Sequence, residues 1–96
     1  MACKLTSPQL HERKATVIAQ LKKEILASEE TTYGFRYKFN STDSIIDQLT
    51  DFIKTERQCC DFFIFNMSVP GDKGFVWFEI TGNHDVKDFI RTELEM

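Results

Sequence analysis

Between Ser41 and Cys60 apolar residues recur at helical spacing, with Ile45, Ile46, Leu49, Phe52 and Ile53 sharing one side. Successive helical residues advance by about 100°, so with Leu49 at the centre of the stripe Glu56 and Cys60 fall within about 20° of it and Cys59 about 80° to one edge. The pattern predicts a helix that carries a carboxylate and two thiols where apolar side chains are expected. An earlier helix is predicted from Ser7-Pro8, a hydroxyl N-cap followed by proline at the first helical position. Its stripe of Leu10, Lys14, Val17, Ile18, Leu21, Ile25 and Leu26 extends to about Ser28.

The period then changes. Tyr33-Gly34-Phe35-Arg36-Tyr37-Lys38-Phe39 alternates aromatic and other residues, which predicts a strand with four rings on one face. Phe62 to Val69 and Phe75 to Thr81 read as two further strands, joined at Pro70-Gly71-Asp72-Lys73-Gly74 as a hairpin. Gly82-Asn83-His84-Asp85 opens a last helix with Val86, Phe89, Ile90 and Leu94 inward. The predicted order is α-β-α-β-β-α, an α+β fold. A right-handed crossover makes the first two strands parallel. The expected product is a three-stranded sheet with packed helices, a ferredoxin-like βαββα core lacking a fourth strand. Both faces of the hairpin read as apolar, so both need cover, from the helices or from a second copy in a homodimer.

Composition narrows the classes. The 96 residues suit a single domain over 1–96. Net charge is −3, and Lys and Arg are scattered among acids, so no basic stripe marks a nucleic-acid partner. No apolar run approaches the roughly 20 residues of a membrane span, and Met1 to Pro8 do not read as a signal peptide. The cytoplasm is the expected compartment. Three cysteines, two of them adjacent, do not form a disulfide framework.

Candidate chemistry gathers at Glu56-Arg57-Gln58-Cys59-Cys60. With the hairpin turn centred near Asp72, residues whose numbers sum to about 144 face each other, so Phe62 is expected near Gly82. Cys59 and Cys60 then approach Asn83 and His84, at a helix N-terminus that favours thiolates. The crossover brings Tyr33 to the same end. Glu56, Cys59, Cys60 and His84 form the expected site, with Tyr33 at its border.

Three readings follow. Vicinal thiolates bind a thiophilic metal or metalloid ion, with Glu56 or His84 completing the shell. Adjacent cysteines suit two-coordinate or pyramidal species such as mercury or arsenite better than tetrahedral zinc. Alternatively the chain is a thiol-dependent enzyme or redox protein, with one cysteine nucleophilic and the other resolving. In the third reading the thiols are inert core residues of a structural or oligomeric module.

Glu56-x-x-Cys59-Cys60-Asp61-Phe62, followed by an aromatic-rich strand, a turn and a strand ending at Thr81-Gly82, resembles a family of small bacterial proteins. Their shared segment runs Glu-x-x-Cys-Cys-(Pro or Asp)-Phe and later Thr-Gly-Pro. The resemblance spans the chain from the Tyr33 strand to the last helix. Related segments accompany regulators of the mercury-resistance type, which implies handling of thiophilic ions. Only Glu56, Cys59 and Cys60 carry over. Asp61 stands where proline is commoner, and Asn83 replaces the proline after Gly82. His84 lies outside the pattern, and regulator activity is not carried over.

Overall fold

The computed structural model describes residues 8–59, 62–72, 74–83 and 85–94. Helix α1 (Pro8–Glu24) leads into strands β1 (Ala27–Glu30) and β2 (Gly34–Phe39). Helix α2 (Asp43–Cys59), strands β3 (Ile64–Ser68) and β4 (Val76–Thr81) and a short helix α3 (Val86–Phe89) follow. A π-helical turn over Ile90–Leu94 continues α3. The four strands form one antiparallel sheet in the order β1-β2-β4-β3.

This overturns the expected three-stranded sheet. The fourth strand is present, and it comes from the chain before β2, which the helical pattern had absorbed. Ala27-Ser28-Glu29-Glu30 is exposed at every position, so it carries no alternation of apolar residues. It is held by its ladder with β2, from Ala27 opposite Lys38 to Glu30 opposite Phe35. β2 and β3 do run in the same direction, as the crossover requires, yet they are not neighbours: β4 lies between them.

The hairpin register is also shifted by one. Ile64 faces Thr81, Phe65 faces Ile80 and Met67 faces Phe78, so paired numbers sum to 145. Residues directly opposite in a ladder share a face, so this register puts Phe65 and Met67 on the side of Phe78 and Ile80.

That side is the core. Tyr37, Phe39, Val76, Phe78 and Ile80 of the sheet join Leu21 of α1, Ile45, Leu49 and Phe52 of α2, and Val86 and Ile90 of the C-terminal segment. Phe52 meets Phe65 and Phe78 edge-on, at centroid distances of 6.0 and 5.8 Å. The helix α2 is started by Thr42, whose Oγ1 accepts a hydrogen bond from the Ile45 N–H at 3.1 Å. α1 packs against α2.

The opposite face is not the second apolar surface expected. One row crosses all four strands as Glu29, Arg36, Glu79 and Asn66. Arg36 pairs with Glu29, Asn66 donates to Glu79, and the Arg36 guanidinium lies 4.9 Å from the centre of the Trp77 ring. Trp77 is thus covered by a cation rather than by a helix.

Tyr37 is fully buried, and its hydroxyl has no hydrogen-bond partner among the described residues. Burial pushes its phenol up to about 12, with Arg91 acting in the opposite direction. Between an unfolded value of about 10 and the folded one, the folded state holds the extra proton, so stability declines as pH rises through that window, by at most about 3 kcal/mol. Tyr37→Phe removes the unpaired hydroxyl. It is expected to leave stability unchanged or raise it by about 1 kcal/mol at neutral pH and to flatten the alkaline decline, as read by denaturant unfolding at pH 8 to 12. A substantial loss at neutral pH would show that the hydroxyl is satisfied.

Candidate functional site

Glu56 is fully buried, where the stripe centred on Leu49 places it, and Thr55 beside it is 2% exposed. Glu56 and Thr55 both take part in polar or electrostatic interactions in the fold. A carboxylate removed from water is costly unless it is paired or protonated, so its retention at the last turns of α2 marks a place with special requirements. Cys59 is the final residue of α2, three positions on. The side chain of Cys59, and both Cys60 and His84, lie outside the described residues.

The end of the sheet that receives this helix terminus is well defined. The Gly82 N–H donates to the Tyr33 carbonyl at 3.1 Å, which fixes the start of β2 against the end of β4. A Cβ on Gly82 would meet Val86 Cγ2 and would lie 2.9 Å from the Phe62 carbonyl oxygen. Tyr33, Phe62 and Gly82 therefore converge, through β4 rather than through direct pairing of parallel strands. The Tyr33 side chain itself is 61% exposed.

Phe62 and Phe63 do not alternate like strand residues, because both precede β3. Their rings are 4.8 Å apart, and each also contacts Phe89, at 5.0 and 5.6 Å. These contacts tie the entry to β3 to the last helix.

The helix N-terminus expected to activate the thiols is weaker than the sequence suggested. Asn83 does organise it: its Oδ1 accepts from the Asp85 N–H at 3.1 Å and its carbonyl from the Val86 N–H at 3.1 Å. Only Val86–Phe89 is α-helical, however, and four residues align few peptide dipoles. The segment is anchored instead by Glu30 of β1, which accepts from Lys87 at 2.8 Å and from Arg91 at 2.9 Å. Lys87 and, less strongly, Arg91 hold the Glu30 carboxyl below its ordinary value.

One feature went unread in the sequence. An open groove of about 540 Å³ runs between the C-terminal half of α2 and β3, lined by Ile53, Arg57, Phe63, Ile64 and Phe65. Its signal is the unbroken uncharged run from Phe62 to Gly71. Among the described residues, no group of three or more His, Cys, Asp or Glu side chains is arranged to hold a metal ion. Within the same residues, no helix is long and apolar enough to cross a membrane.

Comparison with known protein families, with curated proteins and with solved structures finds no match to this chain.

Proposed function

We propose that the chain binds a soft metal or metalloid ion through the Cys59 and Cys60 thiolates, with Glu56 at the border of the site and His84 as a further donor. The observation that carries this reading is the complete burial of Glu56 at the end of α2, in the turn that leads into the two cysteines. Two adjacent sulfurs favour thiophilic ions of low coordination number, whereas carboxylates and imidazoles alone favour harder or borderline ions. Binding a divalent ion through two thiols releases two protons to solvent, so affinity rises with pH. The meeting of Tyr33, Phe62 and Gly82 supports the reading by giving this end of the sheet a rigid frame.

Reduced protein titrated with mercuric ion, arsenite and zinc is expected to take up one mercuric ion or one arsenite per chain, with weaker uptake of zinc. Cys59→Ser and Cys60→Ser should each abolish stoichiometric uptake, whereas Cys3→Ser should leave it intact. Calorimetry or mass spectrometry under native conditions supplies the count. Equal uptake by the Cys60→Ser variant would end the proposal.

A further inference from the structure

The two edges of the sheet are built differently. β1 is guarded by Glu29 and Glu30, both exposed and both engaged in ion pairs. β3 has no such protection: Ile64-Phe65-Asn66-Met67-Ser68 is uncharged, and the uncharged run extends from Phe62 to Gly71. Exposed edges normally carry charge, proline or a covering element, because their free N–H and C=O groups template further pairing. Two of the large exposed apolar residues, Ile64 (59%) and Val69 (43%), lie on β3 and at its end, and the open groove beside α2 follows the same edge. The broad outer face, by contrast, is already satisfied by the Glu29, Arg36, Glu79 and Asn66 row.

We propose that β3 pairs antiparallel with β3 of a second copy of this chain, about a two-fold axis at Asn66, which brings Val69 of the partner subunit to the groove beside α2. The register follows from symmetry. An axis perpendicular to the sheet must pass through a residue that faces its own copy, and Asn66 is the choice that overlaps the five-residue strand completely. Residue numbers then sum to 132 across the interface. On the helix side Phe65 faces Met67 of the partner subunit, and the chain just past the partner's Ser68 brings Val69 of the partner subunit toward Phe63. On the outer side Ile64 faces Ser68 of the partner subunit. Asn66 faces itself, and an amide holds both donors and an acceptor, so it can pair with its own symmetry mate. No charges meet, and Pro70, which lacks an N–H, ends the ladder.

The groove gives the pairing a side-chain contact beyond the ladder itself. Ile53, Phe63, Ile64 and Phe65 line the groove with apolar residues, and Arg57 lines it beside them. In this register the side chain that reaches the groove is a second Val69, which continues the alternation of Phe65 and Met67. Two equivalent grooves each receive a side chain, and a continuous eight-stranded sheet results.

The test is the mass in solution and its response to charge at the axis. Wild-type protein is expected to sediment as a dimer. Asn66→Lys opposes two cations at the axis yet leaves each chain foldable, since position 66 is exposed and borders Glu79. It is expected to weaken association about 100-fold, with an unchanged far-UV circular dichroism spectrum. Ser28→Lys, on the guarded edge, should leave the dimer intact. A monomeric wild-type protein at the concentrations of an NMR sample would overturn the proposal. So would a dimer indifferent to Asn66→Lys, which would place the interface elsewhere. A monomer whose β3 amides shift on adding an unrelated extended peptide would assign the edge to another occupant and overturn it equally.

Discussion

Gly34→Ala is expected to lower stability by about 3 kcal/mol or more, among the largest single-residue losses in this protein. Gly34 opens β2, opposite Thr81 of β4. A Cβ at this position would overlap the Ile80 carbonyl oxygen and lie 2.8 Å from its carbon and 2.9 Å from the Thr81 Cα. These are backbone atoms of a central strand, so relief requires the two innermost strands to separate. Overpacking that side chains can absorb costs about 1–3 kcal/mol, and backbone obstruction belongs at or above the upper end. A chain of this size has roughly 5–14 kcal/mol in total, so Gly34→Val is expected not to fold. Gly71→Ala is the control: nothing lies within 4 Å of the new methyl group, and the midpoint should barely move. Urea unfolding of the three variants reads the series. An unchanged midpoint for Gly34→Ala would mean that β2 and β4 approach each other differently.

The same position shows what could be read without the structure. Gly34 interrupts a strand of alternating aromatics, and a glycine inside a strand signals close approach of another backbone. The partner strand could not be named, because the sequence put β3 and not β4 beside β2. The helical part was the most legible. Ile45, Leu49, Phe52 and Glu56 all lie inside, at the positions dictated by one stripe on α2. Periodicity works here because the helix packs a single face against the sheet.

Where periodicity is absent, the reading stopped. β1 presents four exposed residues, and its strand conformation comes from pairing with β2 rather than from its own pattern. Leu26, which extended the apparent helical stripe, is 49% exposed and donates its N–H to the Lys38 carbonyl instead. The hairpin register missed by one, because a turn centred on Asp72 implies an odd number of loop residues, whereas Ser68 pairs with Trp77 across eight. The hairpin reads as apolar on both faces, yet Phe62 and Trp77 do not build a second apolar face. The first turns inward ahead of β3 against Phe63 and Phe89, and the second lies beneath Arg36. Of the expected site, the position of Glu56 and the approach of Phe62 to Gly82 are on view, whereas Cys60 and His84 fall outside the described residues.

Glu56→Ala is the second substitution expected to act strongly, and paired with Glu56→Gln it separates the structural reading of this residue from the functional one. Glu56 is fully buried and is engaged by an interaction within the fold. Truncation to alanine removes that interaction from a fully buried position and opens a cavity the length of the lost side chain. Losing a buried polar interaction and opening a cavity act in the same direction, for an expected loss of about 3 kcal/mol or more. Glutamine keeps the volume and one acceptor oxygen and puts an NH2 donor in place of the other, so its loss should stay near about 1 kcal/mol. If Glu56 only fills and stabilises the core, ion uptake by Glu56→Gln will match that of the unaltered chain. If it borders the thiolate site as proposed, Glu56→Gln will remain folded and lose at least about tenfold in affinity for a soft cation, a difference of about 1.4 kcal/mol. The decisive comparison is between unfolding free energy and ion affinity measured on the same samples, because a buried residue that serves only the fold moves the first and leaves the second alone.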